Sequence, residues 1–185
     1  ISQSNNATSI IAIMIEHDLL KDHFEGQLFF DESQTSQIAK RIYATDASVY
    51  QVKPAAVAIP STVKDIKRLI QFASQAKTGL IPRGAGTSLA GQVVGEGIVM
   101  EISSALGKVI SLNRKEKTVW IEPGIVRDDL NKHLATADLF FGPETSTANR
   151  ALLGGMVGNN SCGLHSIVWG NVRDHLLETR AILSD

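Results

Sequence analysis

The stretch Pro82-Arg83-Gly84-Ala85-Gly86-Thr87-Ser88-Leu89-Ala90-Gly91-Gln92 gathers three glycines, two hydroxyl residues and an arginine into one short run. Glycine accepts positive φ and lets the main chain come close to a ligand. Successive N–H groups in such a turn face one concavity that binds an anion, and the hydroxyls of Thr87 and Ser88 add donors. The guest that suits this chemistry is a phosphate or pyrophosphate. The other reading is a glycine-rich hairpin with no ligand, although hairpin turns need fewer glycines than this. Two familiar phosphate loops do not fit. A Walker A loop ends in Gly-Lys-Ser/Thr, and no lysine follows a glycine of this run. A Gly-x-Gly-x-x-Gly fingerprint begun at Gly84 would need glycine where Leu89 stands.

A second, longer stretch reads Phe141-Gly142-Pro143-Glu144-Thr145-Ser146-Thr147-Ala148-Asn149-Arg150-Ala151-Leu152-Leu153-Gly154-Gly155-Met156-Val157-Gly158-Asn159-Asn160-Ser161-Cys162-Gly163. Small and apolar residues mixed with hydroxyls and amides make a wall for a flat, partly polar ring system. Gly154-Gly155 would let the backbone lie against such a ring, and Asn159 and Ser161 offer donors and acceptors to ring carbonyls and nitrogens. Loop and helix packing without a ligand is the competing reading.

Other reactive residue types carry less. His165 and His175 lie ten residues apart, but apart from Cys162 no third ligand stands at tetrahedral-site spacing, so no metal is expected in this chain. Cys162, the single cysteine, has no neighbouring cation or helix start to lower its pKa and reads as a packing residue. It cannot make an internal bridge, which is compatible with a reducing compartment. Asp128-Asp129 suits a helix start, where carboxylates complement the dipole. Arg83 is open to two readings, a ligand for phosphate or a partner for a nearby carboxylate.

The elements that must position these loops alternate. Residues 1–53 read as a polar helical arm, with Ile11, Ile15 and Leu19 on one face. Residues 55–59 are a short apolar strand, and Pro60-Ser61-Thr62 supplies a stop and an N-cap. The helix 63–75 then carries Ile66, Leu69, Ile70 and Ala73 on one stripe. Strands at 80–83 and 97–101 flank the first loop. A second unit follows, with strands at 109–112 and 118–122, a helix at 126–134, the second loop and a closing strand at 179–183. Each small α+β unit thus presents one glycine-rich loop.

Composition sets the outer limits. The 185 residues are 43% apolar and 20% charged, enough for one core or two small ones, and this excludes disorder and a disulfide scaffold. Lys plus Arg number 18 against 19 Asp plus Glu, a net charge of -1 that offers no bulk attraction to nucleic acid or to an anionic membrane. The longest apolar run, 10–15, is far short of the ~20 residues of a membrane span. The chain starts at Ile1 rather than Met and stops at Asp185 directly after a strand-like stretch, which reads as a fragment of a longer protein.

The two loops, in this order and about sixty residues apart, resemble the FAD-binding domain of the FAD-linked oxidase superfamily typified by vanillyl-alcohol oxidase and p-cresol methylhydroxylase. The likeness is greatest to its branch of D-lactate, glycolate and D-2-hydroxyglutarate dehydrogenases. It runs from Tyr43-Ala44-Thr45-Asp46-Ala47-Ser48 through Pro54 and Ile59-Pro60 to Asp174-His175 and residues 179–183, about three quarters of the chain.

The resemblance implies an α+β fold of two small subdomains with FAD between them, preceded by N-terminal helices and lacking the substrate domain. Its parts would be an arm at 1–53, a first subdomain at 54–115 with the pyrophosphate loop at 82–92, and a truncated second subdomain at 116–185. It also implies that Pro82, Arg83, Gly84, Ala85, Gly86, Thr87, Ser88, Leu89, Gly91 and Gln92 hold the FAD pyrophosphate. Pro143, Glu144, Thr145, Ser146, Gly154, Gly155, Asn159, Ser161 and Gly163 would line the ribityl chain and isoalloxazine, and Ile182 would lie near the adenine or ribose. Relatives that attach flavin covalently from this loop carry histidine where this chain has Thr87, so dissociable FAD is expected. The family often shows Tyr-Gly where this chain has Trp169-Gly170.

The implied activity of the parent is oxidation of a D-2-hydroxy acid to the 2-oxo acid with electrons passed to a separate acceptor. The catalytic residues would lie beyond Asp185, as would any iron–sulfur cluster or divalent metal, so the segment alone is expected to be inactive. The expected location is the cytoplasm, with contact to the membrane only through the acceptor. The alternatives are a reductase of the UDP-N-acetylenolpyruvoylglucosamine type, which uses NADPH, and a non-redox nucleotide-binding module.

Overall fold

The computed structural model describes residues 20–102 and 105–184, so the expected helical face of Ile11, Ile15 and Leu19 lies outside the described residues. The described chain forms two compact units, one of residues 20–101 with 182–184 and one of 102 and 105–181.

The first unit is built on a four-stranded sheet. Its strands are β1 (Gln27–Phe29), β2 (Ala56–Ile59), β3 (Leu80–Arg83) and β4 (Ile98–Glu101), in the spatial order β1-β2-β4-β3. β2 and β3 run parallel to β4, and β1 runs antiparallel to β2. Ala56, Val57 and Ala58 of β2 and Ile98, Val99 and Met100 of β4 are buried without alternation, as central parallel strands covered on both faces must be. The cover includes α2 (Val63–Gln75), which spans the residues the sequence predicts and is preceded in the chain by α1 (Gln34–Ile42). Thr62 caps α2 through a reciprocal box with Asp65. The fully buried Asp65 carboxylate accepts from the N–H groups of Ser61 at 3.0 Å, Thr62 at 3.2 Å and, from a distant segment, Glu25 at 3.0 Å. Leu69, Phe72 and Ala73 form the buried stripe, with Ile66 and Ile70 half-buried beside it.

β1 corrects the reading of the first fifty residues as helical. Its three residues gain their ladder from β2, fifty-nine being the number of Gln27's partner, and such long-range pairing overrides local helical patterning. α1 does form, started by Ser33, whose side chain accepts from Ser36 N–H.

Among the described residues β3 lies at an edge of the sheet, and Pro82 stands in it. Ile98 N–H donates to Gly79 O at 2.8 Å, which makes the odd-numbered residues of β3 the donors toward β4. Residue 82 therefore owes the ladder no N–H, the one setting in which a strand tolerates proline.

The second unit holds the hairpin β5 (Val109–Asn113) and β6 (Thr118–Ile121), then α3 (Arg127–Ala135), α4 (Leu153–Gly158), α5 (Ser166–Trp169) and a 3-10 turn (Val172–His175). Both hairpin strands belong to this unit, since their ladder joins residues on either side of position 115. The core consists of Ile125, Leu130, Leu134, Ala151, Leu153, Met156 and Val172, against which Val109, Leu112, Val119 and Ile121 pack.

The expected closing strand at 179–183 is absent: residues 176–184 form no ladder with any described residue and are exposed. A strand needs a neighbour for its N–H and C=O groups, and here the segment is held instead by Arg180, whose guanidinium lies 4.8 Å from the centre of the Trp120 ring. No described helix is long and apolar enough to cross a membrane.

Candidate functional site

In the first unit β3 empties directly into the glycine run. Gly86 and Gly91 both take positive φ, +66° and +73°. A Cβ on Gly86 would lie 2.4 Å from Arg83 Nη2, and one on Gly91 would lie 2.7 Å from the ring of Tyr50. Both glycines are therefore favoured by the positive φ of the turn and by close approach of Arg83 and Tyr50. The turn is tied from outside by Ala47 N–H, which donates to Gly86 O at 3.0 Å. Among the described residues, nothing accepts from the backbone N–H groups of Gly84, Ala85, Gly86, Thr87, Ser88 or Leu89. The hydroxyls of Thr87 and Ser88 are likewise without a described partner. Gly84, Gly86, Thr87, Ser88 and Gly91 are half-buried, whereas Pro82, Ala85, Leu89 and Gln92 are exposed. Gln92 Oε1 accepts from Ala90 N–H at 3.2 Å and closes the end of the loop. A run of amides with no acceptor of their own is what an anion can satisfy.

Arg83 does not project freely from this loop. Its guanidinium lies 5.2 Å from the centre of the Tyr43 ring, and Nη1 donates to Tyr43 O at 3.5 Å. Burial lowers its pKa from the ordinary guanidinium value, against which Tyr43, Asp46 and Glu101 act by charge. Burial raises the Tyr43 phenol, with Glu101 adding to the rise and Arg83 opposing it. Asp46 accepts from Ser48 N–H through Oδ1 at 2.8 Å, while its Oδ2 is buried with no hydrogen-bond partner.

In the second unit the loop is fastened by side chains. Arg127, in the first turn of α3, donates from Nε to Pro143 O at 3.1 Å and from Nη2 to Phe141 O at 3.2 Å. Asn131 completes the tie, its Oδ1 accepting from Phe141 N–H at 2.7 Å. Glu144 Oε1 accepts from His165 twice, from Nδ1 at 2.6 Å and from the backbone N–H at 3.2 Å. The side-chain hydrogen bond with His165, followed by the backbone one, holds the Glu144 carboxyl below its ordinary pKa. Gly163 packs beside this pair, since its Cβ would stand 2.6 Å from Glu144 O. Gly154 is fixed by Pro123, whose Cβ would lie 2.6 Å from a Cβ there, whereas Gly155 is exposed with open space around it. Gly155 is thus the glycine of the pair whose Cβ position is open.

Of the remaining residues read from the sequence, Pro143 and Ser161 are buried, Thr145 is half-buried, and Ser146, Asn159 and Ile182 are exposed. Asn159 Nδ2 reaches Ser161 Oγ at 3.4 Å, and Thr145 Oγ1 lies 3.2 Å from Thr147 Oγ1. Ile182 groups with the first unit.

The sequence alone assigns no role to Tyr43, Ala47 and Tyr50, which lie against the first loop, or to Arg127, Asn131 and His165, which hold the second. Only for residues 43–48 was there a signal, their presence in the family resemblance.

The family model described as FAD binding domain covers residues 54–185. Over 186 aligned residues the chain is 35% identical to the D-2-hydroxyglutarate dehydrogenase of Escherichia coli (strain K12), covering 99% of this chain and 18% of that protein. It is 39% identical over 169 residues to the D-2-hydroxyglutarate dehydrogenase of Haemophilus influenzae, covering 90% of this chain and 16% of that protein. The chain therefore spans under a fifth of the length of these curated relatives. Among solved structures, alkyldihydroxyacetonephosphate synthase shares the fold with a TM-score of 0.74 and 22% identity, over 85% of this chain and 30% of that one.

Proposed function

The chain belongs to the FAD binding domain family, and from that premise we propose that it is the FAD-holding part of a flavin-dependent dehydrogenase that oxidises a D-2-hydroxy acid, of the D-2-hydroxyglutarate type, to the 2-oxo acid. The observation that carries the proposal is the row of amides from Gly84 to Leu89 without a described acceptor, on a turn whose positive φ at position 86 favours glycine. Those donors suit a pyrophosphate, which presents acceptors alone.

In this reading residues 82–92 hold the FAD pyrophosphate, and residues 143–146 with Gly154, Gly155, Asn159, Ser161 and Gly163 face the ribityl chain and the ring. Ile182 lies near the adenine or ribose. FAD is held without a covalent bond, because Thr87 stands where a histidine attachment would be. When bound, FAD supplies the hydride acceptor, and the protein orients it and shields it from water. The basic clamp for the substrate carboxylate and the group that takes the hydroxyl proton come from other parts of the protein, as does any divalent metal or iron–sulfur cluster. Electrons leave to a separate acceptor. We place the protein in the cytoplasm, where its exposed Cys162 remains a free thiol.

The test is a visible spectrum of the full-length protein. A flavin spectrum that bleaches anaerobically with D-2-hydroxyglutarate supports the proposal, and release of the flavin on acid precipitation supports the non-covalent link. Bleaching by NADPH but by no hydroxy acid transfers the chain to the reductase reading. Protein that stays colourless after incubation with FAD refutes both.

A further inference from the structure

Asp46 is next in the chain to Ala47, whose N–H donates to Gly86 O, and Gly86 lies against the Arg83 guanidinium. Asp46 Oδ2 is buried with no hydrogen-bond partner, a condition that is costly, most of all for a charged group. The Arg83 guanidinium is half-buried, and its one described hydrogen bond, to Tyr43 O, is long at 3.5 Å. The Arg83 guanidinium lies against Gly86, where a Cβ would stand 2.4 Å from Nη2. Charged and titratable groups that act on Arg83 are Tyr43, from the end of α1, Asp46, from the following turn, and Glu101, opposite Arg83 in the β3–β4 register. The same turn that carries Asp46 delivers the Ala47 N–H to Gly86 O.

We propose that Asp46 is a positioning residue for the anion-binding loop: its half-buried carboxylate charge retains the Arg83 guanidinium against Gly86, and Arg83 in turn fixes the turn that aims the amides of Gly84 to Leu89. This rests on the flavin reading for the identity of the anion, but the linkage between Asp46 and Arg83 does not depend on it. Asp46 touches no ligand in this scheme, because its free oxygen is sealed from the surface. It acts through Arg83. Without the carboxylate charge, the half-buried cation loses an attraction that offsets its desolvation and moves toward water, and the turn at Gly86 loses its support.

The experiment is a double-mutant cycle on the full-length protein, with FAD affinity read from flavin fluorescence and apoprotein stability from the thermal midpoint. Asp46→Asn keeps the acceptor for Ser48 N–H and removes the charge. It is expected to weaken FAD binding about tenfold when Arg83 is present and less than about twofold in the Arg83→Gln background, the non-additivity of groups that act as a pair. Equal losses in both backgrounds, no loss, or tighter binding from Asp46→Asn alone overturns the proposal. If the unmutated protein takes up no FAD, the flavin reading falls instead. The melting data then decide the linkage, and equal shifts of the apoprotein midpoint in both backgrounds overturn it.

Discussion

The Arg127 guanidinium bridges two carbonyls of one loop, Pro143 O at 3.1 Å and Phe141 O at 3.2 Å, and so fastens that loop to the first turn of α3. Its side chain is 16% exposed, so the bonds are largely shielded from water. Replacing Arg127 with Met leaves both carbonyls without this donor and is expected to cost about 1–3 kcal/mol. Urea denaturation of the full-length protein followed by Trp fluorescence measures it, and an unchanged midpoint contradicts the tie.

Gly86→Ala places a Cβ at positive φ and against Arg83. The backbone strain alone is about 1–2 kcal/mol, and FAD affinity should fall with it. Gly155→Ala is the contrasting variant: it lies in a helix with open space around it, and the fold should gain about 0.5–1 kcal/mol. If FAD binding nonetheless weakens in Gly155→Ala, the open space belongs to the cofactor; unchanged binding removes Gly155 from the site.

Asp65 is the most completely buried carboxylate described, and it satisfies three backbone donors from two segments. Asp65→Ala should destabilise the first unit by about 2–4 kcal/mol, more than an ordinary N-cap loss, because donors near 25 and 61 lose their acceptor together. Hydrogen exchange should show faster exchange at the amides of Glu25, Ser61 and Thr62, and protection equal to the unmutated protein would count against it.

The Glu144–His165 tie has a defined pH direction. The folded state holds the Glu144 carboxyl below its ordinary value, so the stabilisation is fully present above the unfolded carboxylate pKa of about 4.3 and is lost as pH falls through the depressed folded value. Loss of this contribution is therefore expected in the acid range, below about pH 4.3. Trp169, whose side chain lies against Gly142 in the same loop, is a built-in reporter. Its fluorescence titration should lose the acid step in Glu144→Gln; persistence of that step would assign it elsewhere.

Much of the framework is legible where the deciding interactions are local. The capping residues Thr62 and Asp65 and the apolar period that follows mark α2 to the residue, and the unbroken apolar runs in β2 and β4 reflect burial on both faces. β1 is illegible because its reason for existing is a partner thirty residues away. α4 contains three glycines and has little helical propensity, so its helix comes from burying Leu153 and Met156 rather than from its own sequence. The glycine runs announce where an anion could be held. The residues that shape them do not announce themselves: Tyr43 lies about forty positions from Arg83 and Ala47 as far from Gly86, and Arg127 precedes the carbonyls it grips by more than a dozen residues.

Pro82 matters to what happens between molecules. A loop whose amides have no described acceptor, beside a strand at the edge of the described sheet, invites a foreign strand to pair along β3 and continue into the loop. Proline at the outward position deprives that strand of a donor it would need, so the sheet ends where the binding loop begins. Pro82→Val should leave the monomer's fold intact while raising its rate of fibril formation on agitation. Unaltered aggregation kinetics would show that the edge is guarded by something else.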